Sequence, residues 1–244
     1  MNLVLLVEGS ETEPRVYEAW LRQRVPTLQR AQTVADLTTD GYVLISGNGY
    51  PSYEKRLAGL LRDIDAHPGK VHGLWICVDS DEESHEDRRN EVQAAIEEAK
   101  RGTQMETTNP SLEVRVIVRH CCIETWFLGH DGFARAATQA HDVVAFKRFF
   151  DVSAEDPELM GRHPGYVTRQ SFHLAYLKAM LAESSRRYTK QRPGVVLDPS
   201  YFDALRTRCA RTGHLASFDT LLAALRAAGD PSPPLRPAAP RRSP

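Results

Sequence analysis

The sequence predicts an α/β fold: a parallel sheet with helices on both faces, followed by a mainly helical extension. Apolar runs of strand length alternate with helical periodicity four times between residues 2 and 118. The runs at 2–7 and 74–78 are apolar almost throughout, which is typical of strands buried on both faces of a parallel sheet. From about residue 133 onward the periodicity is helical only.

Length and composition describe an ordinary globular chain. Its 244 residues are 41% hydrophobic and 26% charged. No stretch approaches the ~20 apolar residues of a membrane helix, and the N-terminus lacks a basic leader. We therefore expect a cytoplasmic protein without a membrane partner. The cysteines have no paired metal spacing, so we expect reduced buried thiols rather than a zinc site: Cys77, Cys121, Cys122 and Cys209.

Charge divides the chain unequally. Residues 1–159 contain 17 Lys+Arg and 27 Asp+Glu, whereas residues 160–244 contain 14 and 5. This pattern suits a metal site beside a surface that binds a polyanion, although solvated helix faces also produce such counts. We expect three parts: 1–130 an α/β catalytic domain, 131–229 a basic helical extension, and 230–244 a disordered Pro/Arg tail.

The first strand–helix unit begins at residue 2. The strand over 2–7 runs directly into Glu8 and Gly9, and Gly9 allows a tight turn or the close approach of a ligand. Pro14 suits the first turn of a helix that continues to about Pro26, and Thr12 is its expected N-cap.

Three more strands and two more helices follow in the same manner. A glycine-containing turn, Gly47-Asn48-Gly49, ends the second strand, and Ser52 is the expected cap of the next helix. Apolar periodicity sets the remaining limits. The predicted strands are 42–46, 71–78 and 112–118, and the predicted helices are 53–66 and 88–101.

Carboxylates follow two of these strands directly. Asp79 and Asp81 come after the buried third strand, where two close carboxylates are costly unless a cation lies between them. The alternative is a polar loop in which Asp81 caps the next helix. Sites in parallel sheets form beyond the carboxyl ends of the strands. We therefore expect the carboxylates of Glu8, Asp79 and Asp81 to converge.

An acid also lies inside an apolar segment after the fourth strand. The apolar residues of 123–128 predict a short helix against the sheet, and Glu124 lies among them. A buried acid requires a partner or a metal; at helical spacing, however, Glu124 also has the alternative of facing solvent.

The extension is rich in cations and aromatics. We expect helices at 133–139, 142–150, 166–186, 198–212 and 215–227. The cluster that we expect to bind nucleic acid has cations on both sides of an aromatic that can stack on a base, with a solvated helix surface as the alternative. Its residues are Arg186, Arg187, Tyr188, Lys190 and Arg192.

Two motifs resemble a known family. Glu8-Gly9 after one strand and Asp79-Ser80-Asp81 after a later one resemble the Toprim domain, a Rossmannoid fold shared by topoisomerases, primases and OLD-family nucleases. The resemblance covers roughly residues 1–130. The run from Glu8 to Pro14 has the form EGxxTEP and is similar to RloB-like proteins of bacterial defence loci, as is the segment 122–128.

The resemblance implies a Mg²⁺- or Mn²⁺-dependent nuclease acting in anti-phage defence. DNA and RNA, tRNA included, are all open as substrates. It implies that Asp79 and Asp81 bind metal and that Glu8 binds metal or acts in acid–base chemistry, with one or two ions present. Glu13, Glu124 and Glu83 are the further metal-ligand candidates.

Two other functions remain open from the sequence. The first is a latent or non-catalytic subunit regulated by a partner ATPase, because this chain has no Walker A motif of its own. The second is phosphoryl transfer on a small phosphate ester, which an acidic pocket at strand ends also serves. A homodimer is open as well.

Overall fold

A computed structural model describes residues 1–49, 52–135 and 140–232. Within these ranges the protein has one sheet of five strands in the order β2-β3-β1-β4-β5, and every pairing is parallel. This confirms the α/β class. The strands are β1 (Asn2–Val7), β2 (Gln29–Arg30), β3 (Gly41–Ser46), β4 (Gly73–Asp79) and β5 (Glu113–Arg119).

The two central strands are buried on both sides. Every residue of β1 and the first six of β4 are buried, which is why their sequences show no polar alternation. Leu3 and Leu5 face one side of the sheet, and Val4 and Leu6 face the other. The short edge strand β2 was not predicted, because its two residues are polar and exposed.

Helices of the first half of the chain cover both faces. They are α1 (Thr12–Arg24), α2 (Ser52–Asp65), α3 (His85–Lys100) and α4 (Met105–Thr108). Ser84 caps α3 by accepting a hydrogen bond from Asp87 N at 3.0 Å, so the predicted capping role of Asp81 is wrong. Thr12 is the first helical residue rather than the N-cap, because its hydroxyl donates to the Lys190 carbonyl at 2.9 Å.

The rest of the chain is helical, as predicted, and packs onto the sheet. Its helices are α5 (Ile123–Leu128), α6 (Asp131–Ala134), α7 (His141–Phe149), α8 (Arg169–Glu183), α9 (Pro199–Thr212) and α10 (Ala216–Ala227). The side of the sheet that Leu3 and Leu5 face shares one apolar cluster with α1, α5 and α8–α10. In that cluster Trp20 of α1 stacks on Trp126 at 6.3 Å between ring centroids. The extension therefore shares a core with the sheet.

One predicted helix of this half differs from the structure, and two predictions lie partly outside the described residues. The predicted helix 166–186 is shorter, because Thr168 caps it by accepting from Ser171 N. Part of the predicted helix 133–139 and most of the tail 230–244 lie outside the described residues. None of the helices within the described ranges has the length and apolar character that crossing a bilayer requires.

The strand order reverses next to β1. The chain passes from β1 to β3 on one side, and β4 then pairs with β1 on the other side. In open parallel sheets such a switch point opens a crevice beyond the carboxyl ends of the two strands. Glu8 directly follows the end of β1, and Asp79 is the last residue of β4.

Candidate functional site at the carboxyl ends of the strands

Glu8 and Asp79 lie side by side at the switch point. The backbone N–H of Asp79 donates to Glu8 Oε2 at 2.9 Å, and Glu8 N donates to the Cys77 carbonyl at 3.0 Å. Because β1 and β4 are adjacent and parallel, their ends present both carboxylates to one crevice. The structure thus brings together two of the three predicted carboxylates.

A buried arginine that was not predicted links this pair to Glu13. Arg119, the last residue of β5, has no exposed side-chain surface. Its Nε donates to Asp79 Oδ1 at 2.6 Å and its Nη2 to Glu13 Oε1 at 2.7 Å. The one available sequence signal for Arg119 was its position at the end of β5, the strand next to β4, which ends in Asp79.

Gly9 lets the Glu13 carboxylate fold back onto the end of β1. Gly9 N donates to Glu13 Oε2 at 2.5 Å. A Cβ at Gly9 would lie 3.1 Å from the carboxyl carbon of Glu13, so a side chain there would crowd the acid. Both oxygens of Glu13 are therefore engaged, one by Gly9 and the other by Arg119.

Glu124 is buried rather than exposed, and its partner comes from the helical extension. It is 2% exposed on α5, and its Oε1 accepts a hydrogen bond from the Tyr188 hydroxyl at 2.9 Å. Tyr188 is itself 4% exposed and packs edge-on against Phe127. The predicted stacking of a base on Tyr188 is therefore wrong: its ring is covered by the protein.

Glu13, Asp79 and Glu124 line a cavity of about 270 Å³, here called the acidic cavity, and Glu8 lies beside it through its hydrogen bond from Asp79 N. Backbone and side chains from the turns after β1 and β3 form part of its wall, and Lys190 stands at its edge as an exposed cation. Its lining residues are Gly9, Ser10, Glu11, Thr12, Glu13, Asn48, Gly49, Asp79, Ile123, Glu124 and Lys190.

Burial sets the electrostatics of the cavity. Desolvation raises the pKa of Asp79 well above its usual value; the Arg119 charge opposes this, and the nearby Glu13, Glu8 and Glu124 add to it. The pKa of Glu13 is raised by burial in the same way, again against Arg119. The acids are close enough to repel one another, so an added cation would be stabilised here.

Asp81 lies outside the lining of the acidic cavity, as Glu8 does, and the Glu8 charge acts on both Asp79 and Asp81. Asp81 begins the acidic loop (residues 81–83), has a left-handed φ of 52°, and accepts a hydrogen bond from Gln170 of α8 at Oδ1. Its Oδ2 lies 3.6 Å from Arg88 Nη2, and Glu83 pairs with Arg88 Nε at 3.6 Å. Burial, followed by the Glu8 charge, raises the pKa of Asp81 to about 6.

The start of α8 holds the rest of the acidic loop. Arg169 N donates to Glu82 Oε1 at 2.6 Å, and Arg169 Nη2 donates to the Glu83 carbonyl at 3.1 Å and also to the Asp81 carbonyl. The carboxylates of this loop thus have protein cations or amides as partners. Asp81 and Glu83, both predicted metal ligands, are engaged outside the acidic cavity.

The cations of the predicted nucleic-acid cluster lie on one exposed segment, here called the basic loop (residues 184–193). Arg186, Arg187, Lys190 and Arg192 are all exposed. The loop is fixed beside the acidic cavity, because the Lys190 carbonyl accepts from Thr12 Oγ1 and Tyr188 reaches Glu124. A cationic edge therefore adjoins an acidic cavity.

The donor set fits a hard divalent cation. Glu8 Oε1, Asp79 Oδ2 and Glu124 Oε2 accept no hydrogen bond from the described part of the chain, whereas the other oxygen of each is engaged. Within the described ranges their ligand atoms do not all lie within 4.8 Å of one another. A cation there would therefore keep several waters, as Mg²⁺ usually does.

Comparison with protein-family models, with curated proteins and with solved structures gives no match for this chain.

Proposed function

We propose that the protein is a metal-dependent nuclease that hydrolyses phosphodiester bonds at the acidic cavity. One observation carries the proposal: beside the switch point of a parallel sheet, Glu8, Asp79 and Glu124 each keep a carboxylate oxygen that accepts no hydrogen bond from the described residues. The buried Arg119 accounts for one cation there, and the acids outnumber it. The exposed basic loop at the edge suits a polyanionic substrate.

Glu8 and Asp79 are the residues that would hold Mg²⁺ or Mn²⁺, and Glu124 would contact the ion through one of its waters. When bound, such an ion activates a water and stabilises charge on the phosphate. Arg119 supplies a fixed positive charge between Asp79 and Glu13, in a place where a second ion would otherwise be needed. We therefore propose a one-ion site in which Glu13 positions Arg119 and does not bind metal.

The chain's own residues would also orient the substrate. Lys190 stands at the edge of the acidic cavity, and Arg186, Arg187 and Arg192 extend the positive surface along the basic loop. Cations so placed would neutralise backbone phosphates on either side of the scissile bond. Tyr188 would keep the loop in place through Glu124 and would not contact a base.

The resemblance to the Toprim domain supports this proposal. In that family an acid follows one strand and an Asp-x-Asp motif follows another, and here Glu8 and Asp79 occupy adjacent strand ends. The similarity of EGxxTEP to RloB-like proteins extends the proposal to a defence effector that works with a partner ATPase. Gln170 and Arg88 lie against the two oxygens of Asp81, the second acid of this motif, so we assign the ion to Glu8 and Asp79.

A second candidate function is favoured by the size of the acidic cavity. About 270 Å³ is the scale of a small phosphate ester rather than of a polymer, which would have to lie across the opening. Hydrolysis of a small monoester would use the same carboxylates and Lys190. It would not require the cations further along the basic loop.

One experiment tests both candidates. Purified protein is incubated with labelled DNA, tRNA, mRNA and p-nitrophenyl phosphate, with Mg²⁺, with Mn²⁺ and with EDTA. We expect cleavage of one polymer that EDTA and Asp79→Asn abolish and that Asp142→Asn, an exposed carboxylate on α7, leaves intact. Release of p-nitrophenol without polymer cleavage would move the function to the second candidate. Cleavage that Asp79→Asn does not affect would contradict both.

A further inference from the structure

Two adjacent cysteines and a histidine distant in sequence form a compact buried cluster beside the acidic cavity, and none of the three is among the residues that line it. Cys121 and Cys122 follow β5, and His173 lies on α8. The ligand atoms of the three side chains all lie within 4.8 Å of one another. The residues are 2%, 2% and 1% exposed. No local sequence pattern indicates this grouping, because His173 lies some fifty positions after the cysteines.

The backbone turns so that both thiols face the same side. Neighbouring side chains of an extended chain point in opposite directions. Cys121 interrupts that alternation with a left-handed φ of 61°, a conformation that is unfavourable for a residue with a side chain. A hydrogen bond of 2.8 Å from Cys121 N to Ser80 Oγ fixes this turn.

Thr125 connects the imidazole to one of the thiols. Its Oγ1 lies 2.8 Å from His173 Nδ1 and 3.8 Å from Cys122 Sγ, so these two groups border the same small space. Cys77 and Cys209 are also buried thiols, but neither belongs to a group of three potential ligands in the described part of the chain. Cys77 and Cys209 therefore serve as an internal comparison, because they are buried thiols outside the cluster.

We propose that Cys121, Cys122 and His173 bind one thiophilic metal ion, Zn²⁺ or Cu⁺. Two thiolates and an imidazole are ligands that such ions prefer and that Mg²⁺ does not. Three protein donors leave room for one further ligand on zinc, or complete a trigonal shell on Cu⁺. As the metal–sulfur bonds form, the two thiol protons leave to solvent.

Such an ion would join the end of β5 to α8. The same helix begins with Arg169 and Gln170, which hold the acidic loop. The bound ion would therefore fix the helical extension against the sheet, next to the acidic cavity but separate from its carboxylates. The inference does not depend on the proposed nuclease function.

The test is metal binding by the full-length, reduced protein. We would titrate it with Zn²⁺ against a chromophoric chelator, with Cu⁺ under anaerobic conditions, and with Co²⁺ while recording thiolate-to-metal charge-transfer absorption. We expect one equivalent of Zn²⁺ or Cu⁺ per chain. The variants Cys121→Ser and Cys122→Ser should each weaken binding by more than the roughly 10- to 100-fold cost of losing an outer-shell partner.

The matched control is Cys209→Ser, which removes a buried thiol outside the cluster and should bind as tightly as the unaltered protein. The Co²⁺ spectrum of the unaltered protein keeps the test decisive even where a variant does not fold. Absence of stoichiometric Zn²⁺ or Cu⁺ binding would overturn the proposal. So would an equal loss of affinity in Cys209→Ser and in the cluster variants.

Discussion

Asp79 ends β4 and Asp81 follows it two positions later, yet the protein surrounds the two carboxylates differently. Asp79 faces the acidic cavity, where Arg119 engages one of its oxygens and the other accepts no hydrogen bond from the part of the chain that the structure describes. Asp81 turns into the acidic loop, where Gln170 and Arg88 lie against its two oxygens. Two carboxylates of one Asp-x-Asp pattern thus have different surroundings, and the proposed function assigns the cation to the one that keeps an oxygen open toward the cavity.

The largest expected difference is in unfolding free energy, between a variant of Arg119 beside the acidic cavity and a variant of Arg88 beside the acidic loop. Arg119→Met would leave Asp79 and Glu13 buried without their cation and should cost about 3–5 kcal/mol of unfolding free energy. Arg88→Met removes contacts to partly exposed carboxylates and should cost about 1–2 kcal/mol. Urea denaturation of both variants measures this. Equal losses would mean that the cavity and the loop depend on their cations to the same degree.

The second difference concerns activity. Asp79→Asn should lower metal-dependent cleavage by at least about a hundredfold, because the residue would both hold the ion and face the phosphate. Asp81→Asn, which can still accept a hydrogen bond from Gln170, should lower it by less than about tenfold. Initial rates under saturating Mn²⁺ measure both. The reverse order would show that Asp81 leaves the acidic loop when the site is working.

The third concerns pH in the absence of metal. Burial raises the folded-state pKa of Asp81 to about 6, so the folded protein holds this proton more tightly than the unfolded chain does. The resulting stability is present at low pH and is lost as pH rises from about 4 to about 6. Thermal melts in EDTA across that range should show a smaller loss for Asp81→Asn than for the unaltered protein. A loss that is the same in both would contradict the raised pKa.

The smallest expected effect is on the salt dependence of nucleic-acid binding, which indicates where the substrate binds. Replacing Arg187 and Lys190 of the basic loop together with alanine should flatten the log–log salt dependence of nucleic-acid binding by about 1.4 to 1.8, from roughly 0.7–0.9 per phosphate contact. Arg169→Ala is the control, because the acidic loop already engages that cation. Filter binding in catalytically inactive Asp79→Asn protein over a range of salt concentrations gives the slope. If only Arg169→Ala changes it, the substrate lies on the acidic loop instead.

Much of the fold could be predicted because its signal is local. The runs over β1 and β4 are apolar throughout, and the repeated strand–helix pattern requires parallel neighbours. From that arrangement, the meeting of Glu8 and Asp79 follows, since parallel strands bring their carboxyl ends to one edge. The strand β2 has only two polar residues and leaves no such signal.

The rest of the site depends on tertiary contacts that no local pattern contains. Arg119 meets Glu13 across more than a hundred positions of chain, and the Tyr188 ring is covered only once the basic loop docks on α5. An aromatic between cations has the same sequence whether its ring is buried or exposed. The hydrogen bond from Gln170 of α8 to Asp81 likewise joins residues that are far apart in the sequence.

The most direct test of the central claim, that the cavity and not the loop takes the cation, is Mn²⁺ binding by equilibrium dialysis. We predict one Mn²⁺ per chain, lost in Glu8→Gln and Asp79→Asn and retained in Asp81→Asn. A hard ion such as Mn²⁺ should not occupy the Cys121–Cys122–His173 cluster. Absence of stoichiometric binding would contradict the proposed function, and a second equivalent would contradict the one-ion site. Loss of the ion in Asp81→Asn alone would place the cation in the acidic loop and contradict the account.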